Sequence, residues 1–222
     1  LAALAVLATF TVVGCGDDND ANPMAPAAQA RVMAVHASPN APAVDLLVDG
    51  AVAGTGLAFP NNTPYLNLPA GIRNVKVNVS GTTTTVIDAN LALANGVNYT
   101  VFACDSVSKI GTVVLSDDLT APAAGKAHVR FVHLSPDAPA VDVAVQGGPV
   151  LFANTAFKAA SPFTPVDAGS YDLEVRPAGS STVVLPLNGI ALQAGKIYTV
   201  FARGFLGGSG GEALGAQIIA NN

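Results

Sequence analysis

The chain has 222 residues, half of them hydrophobic and only 11% charged, which excludes a disordered polyampholyte and a basic nucleic-acid binder. Of its 15 acidic residues, Asp17, Asp18 and Asp20 fall in one short segment, and from Arg31 onward 12 acids stand against 10 bases. So even a balance does not steer a protein to nucleic acid or to an anionic bilayer, and the 22 Gly and 15 Pro, without a collagen-like period, favour short strands joined by many turns.

Residues Leu1 to Val13 (LAALAVLATFTVV) form an apolar run of the length of a secretory core, too short for a comfortable permanent span. It ends at Val12-Val13-Gly14-Cys15, which resembles a bacterial lipobox, where small residues precede a Cys that is acylated. We therefore read residues 1–14 as part of a signal peptide and Cys15 as the lipidation site. The stretch from Cys15 to Ala30, with Asp17-Asp18-Asn19-Asp20 inside it, reads as a flexible tether. Acyl chains there anchor a protein to a membrane without a span, each buried methylene adding roughly 0.8 kcal/mol. With Cys15 acylated, Cys104 is the one remaining thiol and no intramolecular disulfide forms. Cys104 ends the strand-like run Tyr99-Thr100-Val101-Phe102-Ala103 and reads as a packed small residue, not a nucleophile.

The rest is one unit written twice. Arg31–Gly50 and His128–Gly147 match at 12 of 20 positions at an offset of 97. Pro64-Tyr65 then pairs with Pro162-Phe163 and Ala70-Gly71 with Ala168-Gly169 at 98, and Tyr99–Ala103 with Tyr198–Ala202 at 99. Blocks in one order with slowly drifting offset mean a duplicated domain. Connector signals run through Ser116–Lys126, so the division is 31–119, a linker at 120–126, and 127–222.

In the first copy, β-branched and aromatic enrichment with alternation predicts strands near 31–37, 43–48, 64–68, 73–79, 83–88, 97–103 and 110–115, repeated in the second. Asn74-Val75-Lys76-Val77-Asn78-Val79 is typical, its apolar residues sharing one face. No mature stretch has a capped 3.6-residue apolar period. The expected fold is all-β, two tandem β-sandwich domains of immunoglobulin-like or related topology; the Cys-Trp-Cys core of antibody domains is absent. The glycine-rich run Gly204–Gly215 lacks the Gly-Lys-Ser/Thr ending of a phosphate loop and reads as a flexible hairpin connection.

The most distinctive feature is His36-Ala37-Ser38-Pro39-Asn40-Ala41-Pro42-Ala43-Val44-Asp45, repeated as His133-Leu134-Ser135-Pro136-Asp137-Ala138-Pro139-Ala140-Val141-Asp142. Two prolines fix φ and hold the residues before them extended, presetting a bend between two strands. The expected role is a first hairpin across which His36 and Asp45, and His133 and Asp142, satisfy each other and the turn backbone, Ser38 and Ser135 bonding locally.

This motif resembles the signature of the bacterial family called domain of unknown function 4397, over both copies, about residues 31–219. The resemblance implies an extracytoplasmic β-sandwich module, often in tandem and often on lipoproteins, with no activity to carry over.

Three alternatives use the same residues. Zinc at His36 with Asp45, or His133 with Asp142, needs a third ligand that neither copy offers at a useful spacing. Calcium needs a dense acidic loop. A Ser-His-Asp hydrolase lacks a Gly-x-Ser-x-Gly elbow and has Pro after each Ser. The expectation is thus a non-enzymatic, lipid-anchored protein of the bacterial cell envelope, facing periplasm or cell surface, that serves as an interaction or spacer module. Its partners are the membrane through the anchor and an envelope protein or polysaccharide, with no nucleic acid, cofactor or metal. The rival class is a hydrolase or metal-dependent site on the repeated motif.

Overall fold

The computed structural model describes residues 27–222; the expected signal segment, Cys15 and Asp17–Asp20 lie outside the described residues. The first repeat comprises β1 (Gln29–Ala37), β2 (Val44–Val48), β3 (Ala51–Leu57), β4 (Leu66–Pro69), β5 (Gly71–Val79), β6 (Thr85–Leu93), β7 (Asn98–Cys104) and β8 (Gly111–Asp117). The second comprises β9 (Lys126–His133), β10 (Val141–Val145), β11 (Val150–Thr155), β12 (Thr164–Asp167), β13 (Gly169–Pro177), β14 (Leu185–Leu192), β15 (Ile197–Arg203) and β16 (Gly215–Ala220). Each repeat is a sandwich of two four-stranded sheets, ordered β4-β1-β7-β8 over β3-β2-β5-β6 and β12-β9-β15-β16 over β11-β10-β13-β14. The all-β tandem sandwich is thereby established. Among the described residues no helix is long and apolar enough to cross a membrane.

The edge strand β3 was not expected from the sequence. Ala51–Leu57 carries Gly54 and Gly56 and little alternation, so its own residues say loop. The turn before it speaks more clearly: Asp49 (φ 49°) and Gly50 (φ 81°) are both left-handed, the two-residue turn that Asp-Gly favours because its twist matches a hairpin. At the other end of the repeat the tether reading stops early, since Gln29 already pairs with Pro69 and Ala30 is buried.

Burial patterns reveal how the layers stack. β2 alternates buried and half-buried residues, as a strand with one solvated face must. By contrast β1, β7, β9 and β15 are buried almost continuously, on both faces. In β1 the residues Val32 and Ala34 face the first sandwich's own core with Val44, Leu46, Val75 and Val77. Their neighbours Met33, Val35 and Ala37 join Phe102, Cys104, Val132, Leu134, Phe201 and Ile219 in a third core between the sandwiches. The parallel pairs β1–β7 and β9–β15 occupy this doubly covered position, where parallel strands are normally found. Four sheets thus stack in layers, and the two repeats dock through equivalent faces. Phe102 and Phe201, equivalent residues and both fully buried, meet edge to face at 5.5 Å; truncating either to Ala is expected to cost about 3–5 kcal/mol.

A buried polar network seals the same interface. The Asp117 carboxylate pairs with Arg130 Nη2 at 2.6 Å and accepts hydrogen bonds from Tyr65 Oη (2.5 Å) and Thr100 Oγ1 (2.7 Å). Arg130 Nε donates to Thr199 Oγ1 (2.8 Å), which donates to Asn221 Oδ1 (2.8 Å); Asn221 Nδ2 returns to Tyr65 Oη at 3.0 Å. Both charged side chains are essentially inaccessible, Arg130 at 3% and Asp117 at 0%. By repeat alignment Asp117 is the counterpart of Asn221, Thr100 of Thr199, and Arg130 of Met33. One half of a nearly symmetric interface is therefore charged and the other neutral. Lys158 adds a rim pair with Asp105 at 2.7 Å.

Candidate functional site

The repeated motif does not build a hairpin. After Ala37 the chain leaves β1, turns through Ser38–Ala43 and enters β2, which belongs to the opposite sheet. His36 and Asp45 are therefore on different sheets and do not bond to each other, and the same holds for His133 and Asp142. The two prolines preset a corner between sheets, which their fixed φ serves as well as a hairpin bend.

All but one of the polar side chains of the two corners fasten backbone at this end of the sandwich, either within the corner or in a neighbouring loop. His36 Nε2 donates to the Pro42 carbonyl at 2.9 Å, and His133 Nε2 to Pro139 at 2.9 Å. A carbonyl only accepts, so the proton sits on Nε2 and Nδ1 is left as an acceptor. Phe59 and Phe157 flank the rings edge-on at 6.1 and 6.2 Å. Burial pushes both imidazoles below their ordinary value, against the smaller opposing pull of the carbonyls.

Asp45 accepts from the Gly56 amide (2.8 Å), Ser80 Oγ (2.8 Å) and the Gly81 amide (2.9 Å), tying the end of β3 to the β5–β6 turn. Asp142 does the same with the amides of Asn154 (2.7 Å) and Gly179 (2.9 Å). These donors hold both carboxyls below the usual carboxylate range, the Gly81 amide first for Asp45 and the Asn154 amide first for Asp142. The middle residue of the motif is a third tie: Asn40 Oδ1 accepts from the Val107 amide (2.8 Å) and Asp137 Oδ1 from the Leu206 amide (2.7 Å). The sequence reading gave Asn40 and Asp137 no such role. An Asx in a turn ordinarily bonds its own backbone two residues on, so no local signal announced ties to amides 67 and 69 residues away.

The copies differ at the serine. Ser135 Oγ donates to the Gly204 carbonyl (2.7 Å) and its amide to His133 Nδ1 (3.3 Å). Ser38 Oγ and His36 Nδ1 are buried and find no hydrogen-bond partner among the described residues. The counterpart of Gly204 is Asp105. A Cβ at Gly204 would lie 2.1 Å from the Ala213 carbonyl oxygen, so the second copy keeps a glycine there. The run Gly204–Gly215 is accordingly a fitted connection between β15 and β16, with the Phe205 amide donating to Glu212 at 2.7 Å.

His36, Ser38, His133 and Ser135 are all fully enclosed. Among the described residues no group of three or more His, Cys, Asp or Glu is placed to hold a metal ion. The small apolar cavity beside His133, Pro139, Leu206 and Leu214, about 50 Å³, is far below the roughly 300 Å³ at which small-molecule sites begin. Cys104 is fully buried and burial pushes its thiol up to about 11, which makes it a packing residue of the interdomain core.

Comparison with curated proteins finds no match. The family model described as "Domain of unknown function (DUF4397)" matches residues 30–144 and again 140–222. The switch between matches falls in β10, downstream of the structural junction at residues 118–125. With both repeats matched from β1 to the C-terminus, the chain belongs to the DUF4397 family and carries its domain in tandem.

Proposed function

We propose that this chain is a lipid-anchored protein of the bacterial cell envelope, held through Cys15 with its sandwiches on the periplasmic or cell-surface side. Its docked pair of domains acts as a non-enzymatic interaction or spacer module toward an envelope protein or polysaccharide. The observation that carries the reading is the interlock itself: an apolar core sealed by the buried Arg130–Asp117 pair makes two repeats one body. That suits a part whose task is to present surfaces at fixed separation. The use of every polar motif residue except Ser38 to fasten a loop supports the same reading.

Three experiments test it. Metabolic labelling of the full-length gene product with tritiated palmitate should mark the wild type and not Cys15→Ala; equal labelling defeats the anchor. Soluble residues 24–222 should co-sediment saturably with purified envelope fractions. A reproducible esterase, peptidase or glycosidase turnover lost in His36→Ala/His133→Ala would replace this reading with the hydrolase.

A further inference from the structure

We propose that the cleft between β8 and the Ala160–Phe163 segment takes one extended peptide segment of a partner protein, which adds to the outer edge of β8 as a fifth strand. The inference rests on the reading of the chain as an interaction module. It supplies that module with a site and a partner chemistry.

Among the described residues β8 is the terminal strand of its sheet, paired with β7 alone. Backbone groups alternate in direction along a strand, and one observation fixes the phase: the Ser116 carbonyl meets Arg130 Nη1 at 3.3 Å, away from β7. Thr112 and Val114 share that phase, so their N–H and C=O groups also point outward. Among the described residues neither finds a backbone partner on that side. Natural edges are blunted by charge, proline or a covering element. From Gly111 to Ser116 this one has no charge and no proline, and Val114 is 42% exposed.

The opposite wall belongs to the second sandwich and is already held in place. The Phe131 amide donates to Ser161 Oγ (2.9 Å) and the Ser161 amide to the Phe131 carbonyl (2.9 Å), pinning the segment to β9. Phe163 is clamped under the Arg130 guanidinium at 4.6 Å. Between the walls lies a cavity of about 480 Å³ whose apolar lining includes Val114, Leu115, Pro162 and Phe163, a volume in the range of binding sites. The cleft continues the established interdomain interface, for Arg130 belongs to both. A row of unpaired main-chain donors and acceptors beside an apolar trough matches an extended polypeptide, whose backbone supplies the affinity. Asp118 at the mouth favours a cationic flank.

Because main-chain bonds dominate, a generic probe suffices: the capped fluorescent heptapeptide Lys-Val-Thr-Val-Thr-Val-Lys, followed by anisotropy with soluble residues 24–222. Its alternately N-methylated analogue lacks the inward donors. Val114→Pro deletes an outward amide that β7 does not use, a tolerated edge position. Should that variant fail to fold by circular dichroism, Val114→Lys places a charge on the same exposed edge. The proposal expects saturable binding weakened about tenfold or more by N-methylation and by the edge variant. Absence of saturable binding overturns it, as does equal binding of the N-methylated peptide or of a folded edge variant. A negative peptide result with envelope co-sedimentation intact removes this cleft alone; loss of both removes the interaction module as well.

Discussion

Arg130→Met is the most informative single change in this molecule, because it installs at that position the residue its repeat counterpart, Met33, already supplies. Asp117 then keeps the hydroxyls of Tyr65 and Thr100 but loses its only cation, inside an interface where its side chain has no solvent contact. Breaking one partner of a buried pair costs about 3–5 kcal/mol, because the remaining charge stays desolvated. Asp117→Asn alone strands Arg130 against Thr199 and a carbonyl and should cost about the same. The double variant is a different matter. With an amide in place of the carboxylate opposite Asn221, and a thioether in place of the guanidinium opposite Met33, the interface becomes neutral and nearly symmetric. Neutral replacements of buried pairs are often harmless or stabilising by about 1–4 kcal/mol. Urea denaturation of wild type, singles and double closes the cycle. The expected outcome is two strongly destabilised singles and a double at or above wild-type stability. Additive losses would refute the claim that the pair, and not each residue's packing, is what the interface requires.

The remaining predictions concern the same interface and the loop ties. Made as separate chains, the two sandwiches should bind each other and not themselves, since self-pairing buries two Asp117 carboxylates or two Arg130 guanidiniums without a counter-charge; sedimentation velocity of each alone and mixed checks this, and stable self-dimers would contradict it. Burial holds His36 and His133 below 6.5, so between that folded value and 6.5 the unfolded chain binds the extra protons. The stability from keeping them neutral is complete above about 6.5 and falls with the pH through that window, and His36→Gln/His133→Gln should flatten the slope in a urea-midpoint series. Asp45→Ala should speed exchange of the Gly56 and Gly81 amides while leaving the β1 and β7 amides protected; unchanged Gly81 protection would mean the carboxylate fastens nothing.

What the sequence made legible follows from where its signals are physical. The duplication, the all-β class and most strands were readable because alternation and β-branched enrichment report one buried face, as in β5. β3 escaped, its glycines masking a strand that the Asp49-Gly50 turn announces. The docking of the repeats was also written in the chain, in runs such as Val32–Val35 and Ile197–Ala202 that are apolar or hydroxyl-bearing on both faces. Read strand by strand, however, such a run says only that a strand is buried. The motif misled for a topological reason: proline-fixed bends serve hairpins and corners alike, and His36 and Asp45 nine residues apart gave no sign that they belong to different sheets. The Arg130–Asp117 pair lay beyond reach, because it joins residues 13 apart across a connector whose path no local pattern encodes.

The central claim is that two sandwiches form one rigid body, and spin labels at Val52→Cys on β3 and Val150→Cys on β11 test it most directly. Both valines are exposed, at 65% and 47%, and lie in the outermost sheets, whereas buried Cys104, its thiol pushed up to about 11, escapes labelling. Pulsed dipolar spectroscopy on soluble residues 24–222 should give a single narrow distance distribution, unchanged in the Asp117→Asn/Arg130→Met double variant. A broad or multi-peaked distribution in the wild type would mean that the repeats swing on residues 118–125 and that the docked interface is not their resting state.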